Sequence, residues 1–184
     1  MSSCVFFILA GYSFFISPKR PGATKSNEQH ETRGSLTKVQ VYRYLDSEII
    51  SYGEAEKADL LEPNQLEIVG GLRGTRKKLK GEESISADAA SVFFFASQIG
   101  AVIVGEAPLH FAEFRNNVRS TLNEYTVYTE EAQYYEKSKS ISSQIPVRLE
   151  GSLRQLQSDR GFDYQLDSEK LRLFGKVQGS AFPK

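Results

Sequence analysis

Four segments of the chain carry small residues at the same spacing, and this repeat limits the fold more than any other feature. They read Gly53-Glu-Ala55-Glu-Lys-Ala58, Ile85-Ser-Ala87-Asp88-Ala-Ala90, Val127-Tyr-Thr129-Glu130-Glu-Ala132 and Leu156-Gln-Ser158-Asp159-Arg-Gly161. An apolar or aromatic residue follows each one: Leu60, Val92, Tyr134 and Tyr164. Downstream of each lies a second β-type stretch: Leu66 to Leu72, Val102 to Gly105, Ile141 to Val147 and Leu171 to Val177. Within Leu66-Glu-Ile68, Val147-Arg-Leu149-Glu and Leu171-Arg-Leu173, apolar and polar side chains alternate, the period of a half-buried strand. Turn signals separate the paired stretches at Pro63-Asn64, Gly100 and Lys137-Ser138-Lys139. The pattern predicts stacked hairpins, each covering its neighbour's apolar face. The three-residue gap between small positions breaks strict alternation, and a β-bulge there would restore the inward face.

Helical candidates are few. Phe111, Phe114, Val118 and Leu122 show some 3.6-residue spacing, but Asn116-Asn117 makes a loop an equal reading of Phe111 to Asn123. The fold class is therefore all-β, an open curved sheet or a flattened sandwich. If its inner faces meet fully, the interior is core; if they splay, an apolar trough remains.

Composition narrows the function. Lys plus Arg number 23 and Asp plus Glu number 23 in 184 residues. A zero net charge argues against a nucleic-acid binder. The single cysteine, Cys4, excludes disulfide frameworks and thiolate metal sites. His30 and His110 leave little for a metal cluster or a Ser-His triad, so no cofactor or metal is expected.

The N-terminus differs from the rest. Val5 to Ile16 reads VFFILAGYSFFI and is ended by Ser17-Pro18-Lys19-Arg20. Residues 1–17 are assigned to a short membrane-anchor helix, with a cleaved signal or a core helix as alternatives. Residues 18–36 hold almost no large apolar side chain and are expected to form a flexible linker. The folded domain is expected to span 37–184.

The stretch Val127 to Gly179 resembles the C-terminal half of the LptC family. The likeness lies in Thr129-Glu-Glu-Ala132-Gln-Tyr134, Ile141 to Val147, Leu156 to Tyr164 and Leu171 to Gly179. Thr37 to Ala58 and Ser84 to Val104 are similar to the family's first half. The resemblance implies an open, twisted antiparallel β-jellyroll on a single-pass anchor in the inner membrane, with most of the chain in the periplasm. It implies a non-enzymatic role. Lipopolysaccharide would come from the inner-membrane ABC transporter LptBFG and pass to LptA, its lipid A acyl chains sheltered inside the jellyroll. Expected groove residues are Leu60, Ile68, Val92, Phe94, Ile103, Phe111, Ile145, Val147, Leu149, Leu171, Leu173 and Val177, each equally readable as plain core. Partner strands are expected at the edges, Val39, Val41 and Tyr42 facing the transporter, and Leu171, Leu173, Gly175 and Val177 facing LptA.

Other signals are weaker. Gly70 to Gly81 is basic and Gly-rich but lacks the order of a phosphate-binding loop, and it reads as a solvated hairpin loop. Glu82-Glu83 and Glu130-Glu131 point to opposite faces of a strand and make poor acid/base pairs. Two alternatives stay open: a soluble LptA-like relay, and a β-sandwich carbohydrate-binding or hydrolytic module.

Overall fold

The computed structural model describes residues 34–45, 48–62, 64–78, 81–95, 108–152 and 154–181. The expected anchor, most of the expected linker and Ile103 lie outside these residues. Among the described residues there is no helix; all regular structure is β.

Five long strands and part of a sixth form the first layer. They are β1 (Gly34–Leu45), β2 (Glu48–Glu62), β3 (Gln65–Lys78), β4 (Gly81–Phe94), β5 (Leu109–Leu122) and β6 (Tyr125–Tyr135), each antiparallel to the next. Six short strands follow: β7 (Ser140–Ser143), β8 (Val147–Gly151), β9 (Arg154–Ser158), β10 (Phe162–Gln165), β11 (Lys170–Leu173) and β12 (Val177–Ala181). All twelve belong to one sheet.

The sheet divides at β6. Gln133 to Tyr135 pair with β7, which leads to β10 and β11. Tyr125 to Tyr128 pair with β8, which leads to β9 and β12. At the fork three small polar side chains are buried, Thr129, Ser143 and Ser158. The Thr129 hydroxyl reaches Pro146 O at 3.3 Å and Ser143 Oγ at 3.4 Å, and Ser158 Oγ donates to Gly161 O at 3.0 Å. Small side chains let backbone approach closely, and their hydroxyls satisfy carbonyls that leave the ladder where the strands part.

The expected bulges are present at the first three repeat segments and align across the sheet. At the fourth, Leu156 to Gly161, β9 ends at Ser158 with no register shift and a corner takes the bulge's place. Register shifts fall between Ala55 and Lys57, between Val69 and Leu72, between Ser86 and Ala89, and between Arg115 and Val118. Positive φ at Lys38 (54°), Gly70 (87°), Gly71 (98°), Asn116 (61°) and Asn117 (52°) marks the same column of the sheet. Adjacent bulges bend every long strand at one level, so the sheet curls as a unit. Gly70 is required there: a Cβ would lie 2.6 Å from Glu56 Oε2.

Three expectations need correction. Phe111 to Asn123 is neither helix nor loop, because β5 runs to Leu122. Alternation puts Phe114, Val118 and Leu122, each four apart, on one buried face, which mimics a helical period. Gly70 to Lys78 is the second half of β3 rather than a hairpin loop. The first strand begins at Gly34, inside the expected linker. Strand β4 pairs with β3 and β5, and the expected second stretch Val102 to Gly105 lies outside the described residues.

The core lies where the forked branches cover β4 to β6. It joins Ala87, Ala90, Phe114, Val118, Leu122 and Val127 to Val147, Leu149, Phe162, Tyr164 and Leu166. Alanines at the bend let the layers close, and the large side chains come from either side of it.

Candidate functional site: an apolar inner face and free strand edges

The inner face of β1 to β3 continues the core beyond the part the branches cover. Val39, Ala58 and Leu60 are buried there but do not belong to the core cluster. Ile68 and Leu72 pack against the core's margin, while Leu36, Val41, Ala55 and Leu66 are half-buried. Register places them in rows: Leu60 opposes Leu66 and Leu66 opposes Val92; Leu36 opposes Ala58 and Ala58 opposes Ile68; Val39 opposes Ala55 and Ala55 opposes Leu72. A cavity of about 520 Å³ at the bend is lined by Lys38, Gln40, Glu54, Glu56 and Arg73 as well as Val39, Ala55 and Leu72, so it is mixed in polarity and is not part of the apolar rows. The result is an apolar shelf on which Val39, Ala58 and Leu60 are buried and Leu36, Val41, Ala55, Leu66, Ile68 and Leu72 are half-buried.

The inner face has a charged end. Glu83, 3% exposed, receives Arg76 through Nε at 3.1 Å and Nη2 at 2.7 Å, Lys78 Nζ at 2.9 Å, and the Tyr164 hydroxyl at 2.8 Å. Lys78 also pairs with Glu169 at 2.6 Å. A carboxylate at an inward strand position is costly unless fully paired, and here it is held by two cations and a phenol. Burial, then the hydrogen bond to Glu83 and its charge, push the Tyr164 phenol up to about 12. Burial alone would lower the Lys78 ammonium, but its bonds to Glu169 and Glu83 prevail and raise it. The group ties β10 to β3 and β4 and closes that end of the shelf. Its only signal in the sequence is the opposite facing of Glu82 and Glu83, and Glu82 is indeed exposed.

The expected groove residues separate into groups. Leu60, Ile68, Val92, Val147, Leu149, Leu171 and Leu173 face inward. Val147 and Leu149, at 4% and 0% exposure, are closed core. Val177 opposes Ser158 on an edge strand and is largely exposed. Phe94 is half-buried beyond a register shift at the end of β4. Ile145 lies in the connection between β7 and β8. Phe111 is on the opposite face, stacked on Phe93 at 4.3 Å with His110 edge-on at 5.0 Å. The neighbouring Ala112 is the inward residue.

Among the described residues β1, β11 and β12 each pair with one neighbouring strand and are the edge strands of the sheet. Val39, Val41 and Tyr42 lie on the first edge, Leu171 and Leu173 on the second and Val177 on the third; Gly175 is in the turn between the last two. Such edges can accept another strand. The apolar shelf and the edge strand β1 belong to the same three strands. Together they define a β-sheet protein with a partly covered apolar face beside an edge strand. No family model and no curated protein matches the chain.

Proposed function

We propose that this protein is a lipopolysaccharide-transport bridge of the LptC kind, an open β-jellyroll held at the inner membrane by residues 1–17. It takes lipopolysaccharide from the membrane transporter and passes it to the next periplasmic jellyroll by strand pairing. The observation that carries this reading is the inner face of β1 to β3, which is apolar, half-covered and bordered by an edge strand. Burying one methylene is worth about 0.8 kcal/mol, so a fourteen-carbon acyl chain gains about 10 kcal/mol when fully sheltered. A half-covered shelf shelters only part of each chain, which lets the lipid move on.

The test is lipopolysaccharide binding by the full chain, with Asp placed at Ile68 or Leu72. A carboxylate on the shelf should weaken saturable binding about tenfold or more, whereas Phe111→Asp on the outer face should not. Absence of saturable binding by the unaltered protein, or indifference to the shelf substitutions, would overturn the proposal.

A further inference from the structure

A second recess lies on the outer face, away from the apolar shelf. Arg119, Tyr128, Arg148, Gln157 and Gln178 are successive register neighbours across β5, β6, β8, β9 and β12. At a strand spacing of about 4.8 Å this row is about 19 Å long. Strand alternation sends these side chains outward while Val118, Val127, Val147 and Leu149 are buried on the other side. The row lines a cavity of about 760 Å³, shared with Glu130, Asp159 and Lys176.

The charges in this recess are arranged for a ligand. The Arg148 guanidinium lies 4.7 Å from the centre of the Tyr128 ring and that of Arg119 5.8 Å from the same ring. The nearest carboxylate to Arg148 is Glu150 at 3.6 Å, and both are about half exposed. Arg119 and the Lys176 ammonium have no ion pair within 4 Å among the described residues. Asp159 Oδ1 accepts the backbone N–H of Lys176 at 2.8 Å, which fixes the turn that brings Lys176 to the cavity.

We infer that this recess binds an anionic saccharide, a sugar bearing a carboxylate or a phosphate. Guanidinium groups held against an aromatic ring lose less freedom on binding and keep their N–H edges free for a bidentate anion. Gln157 and Gln178 each offer a donor and an acceptor, the complement of sugar hydroxyls. The cavity is the size of small-molecule sites and far larger than a bare phosphate needs. The inference does not rest on the transport reading, since it concerns the other face of the sheet.

The test is NMR titration of the full chain, following the Arg119 and Arg148 Nε–H signals and the Tyr128 ring. Glucose 1-phosphate and galacturonic acid are the probes, with glucose and inorganic phosphate as separate arms. Saturation by one of the acidic sugars with a millimolar or tighter Kd is expected, weakened about tenfold or more by Arg119→Gln with Arg148→Gln. If that double variant does not fold, Gln178→Ala on the exposed edge strand carries the same test, with weakening of about threefold. No saturation below about 50 mM, equal binding by glucose or by inorganic phosphate, or unchanged binding by the variants would overturn the inference.

Discussion

Tyr164 in β10 donates its phenolic hydrogen to Glu83 in β4 at 2.8 Å, joining positions 81 residues apart. No backbone ladder connects these strands, so the bond ties one branch of the fork back onto the first layer. Arg76 extends the tie by donating to Leu166 O at 3.4 Å.

Removing either partner should therefore loosen the same closure to different extents. Glu83→Ala leaves Arg76 and Lys78 without their shared carboxylate, and about 3 kcal/mol of stability should be lost. Tyr164→Phe leaves Glu83 paired to both cations and should cost about 1–2 kcal/mol. Urea unfolding of both variants measures the difference, and an equal or reversed order would contradict the role given to the carboxylate.

Alkali should weaken the closure in a defined window. The phenol titrates near 10 in an unfolded chain and is raised to about 12 in the folded protein. The folded state thus holds the proton more tightly, a contribution present in full below pH 10 and lost as pH rises from 10 towards 12. Unfolding midpoints measured across that range should fall more steeply for the unaltered protein than for Tyr164→Phe. Parallel slopes would show that Tyr164 is not the titrating group.

The corner after β9 depends on one glycine. Gly161 has φ +89°, and a Cβ there would lie 2.0 Å from Ser143 O. Gly161→Ala meets both backbone strain and a backbone clash, so it should cost about 3 kcal/mol or prevent folding. Thermal unfolding measures this, and a loss below about 1 kcal/mol would mean that the corner relaxes.

How much of this fold is legible in the sequence depends on the distance between the residues that carry it. The small-residue spacing announces the bulges, because strict alternation sends residues three apart to opposite faces and an extra residue brings both inward. Alternation likewise places Ile68, Leu149 and Leu171 on the inner face. Phe111 falls on the face opposite to the expected one because Ala112, Phe114, Val118, Ser120 and Leu122 are the buried positions of β5, and a residue three before Phe114 alternates outward. Asn116 and Asn117, both in the left-handed region, disguise β5 as helix or loop. Glu83 looks like any surface acid, since its partner Tyr164 and the neighbouring Leu166 come from far along the chain. The row from Arg119 to Gln178 is hidden for the same reason: its five members lie on five strands.

Truncation to alanine should separate core from shelf among the expected groove residues. Leu149 is fully buried, and Leu149→Ala should cost about 3 kcal/mol through lost burial and an unfilled cavity. Ile68 is only partly covered, and Ile68→Ala should cost about 1 kcal/mol while weakening lipid binding. Equal losses of stability at the two positions would mean that the shelf is closed core.

The most direct measurement places a photo-crosslinking side chain at Leu72, in the middle of the shelf, and another at Phe111 on the outer face, in cells that export lipopolysaccharide. Irradiation should yield a lipopolysaccharide adduct from the Leu72 position and none from Phe111. Adducts from neither position, or equally from both, would contradict the assignment of the inner face of β1 to β3 as the lipid path.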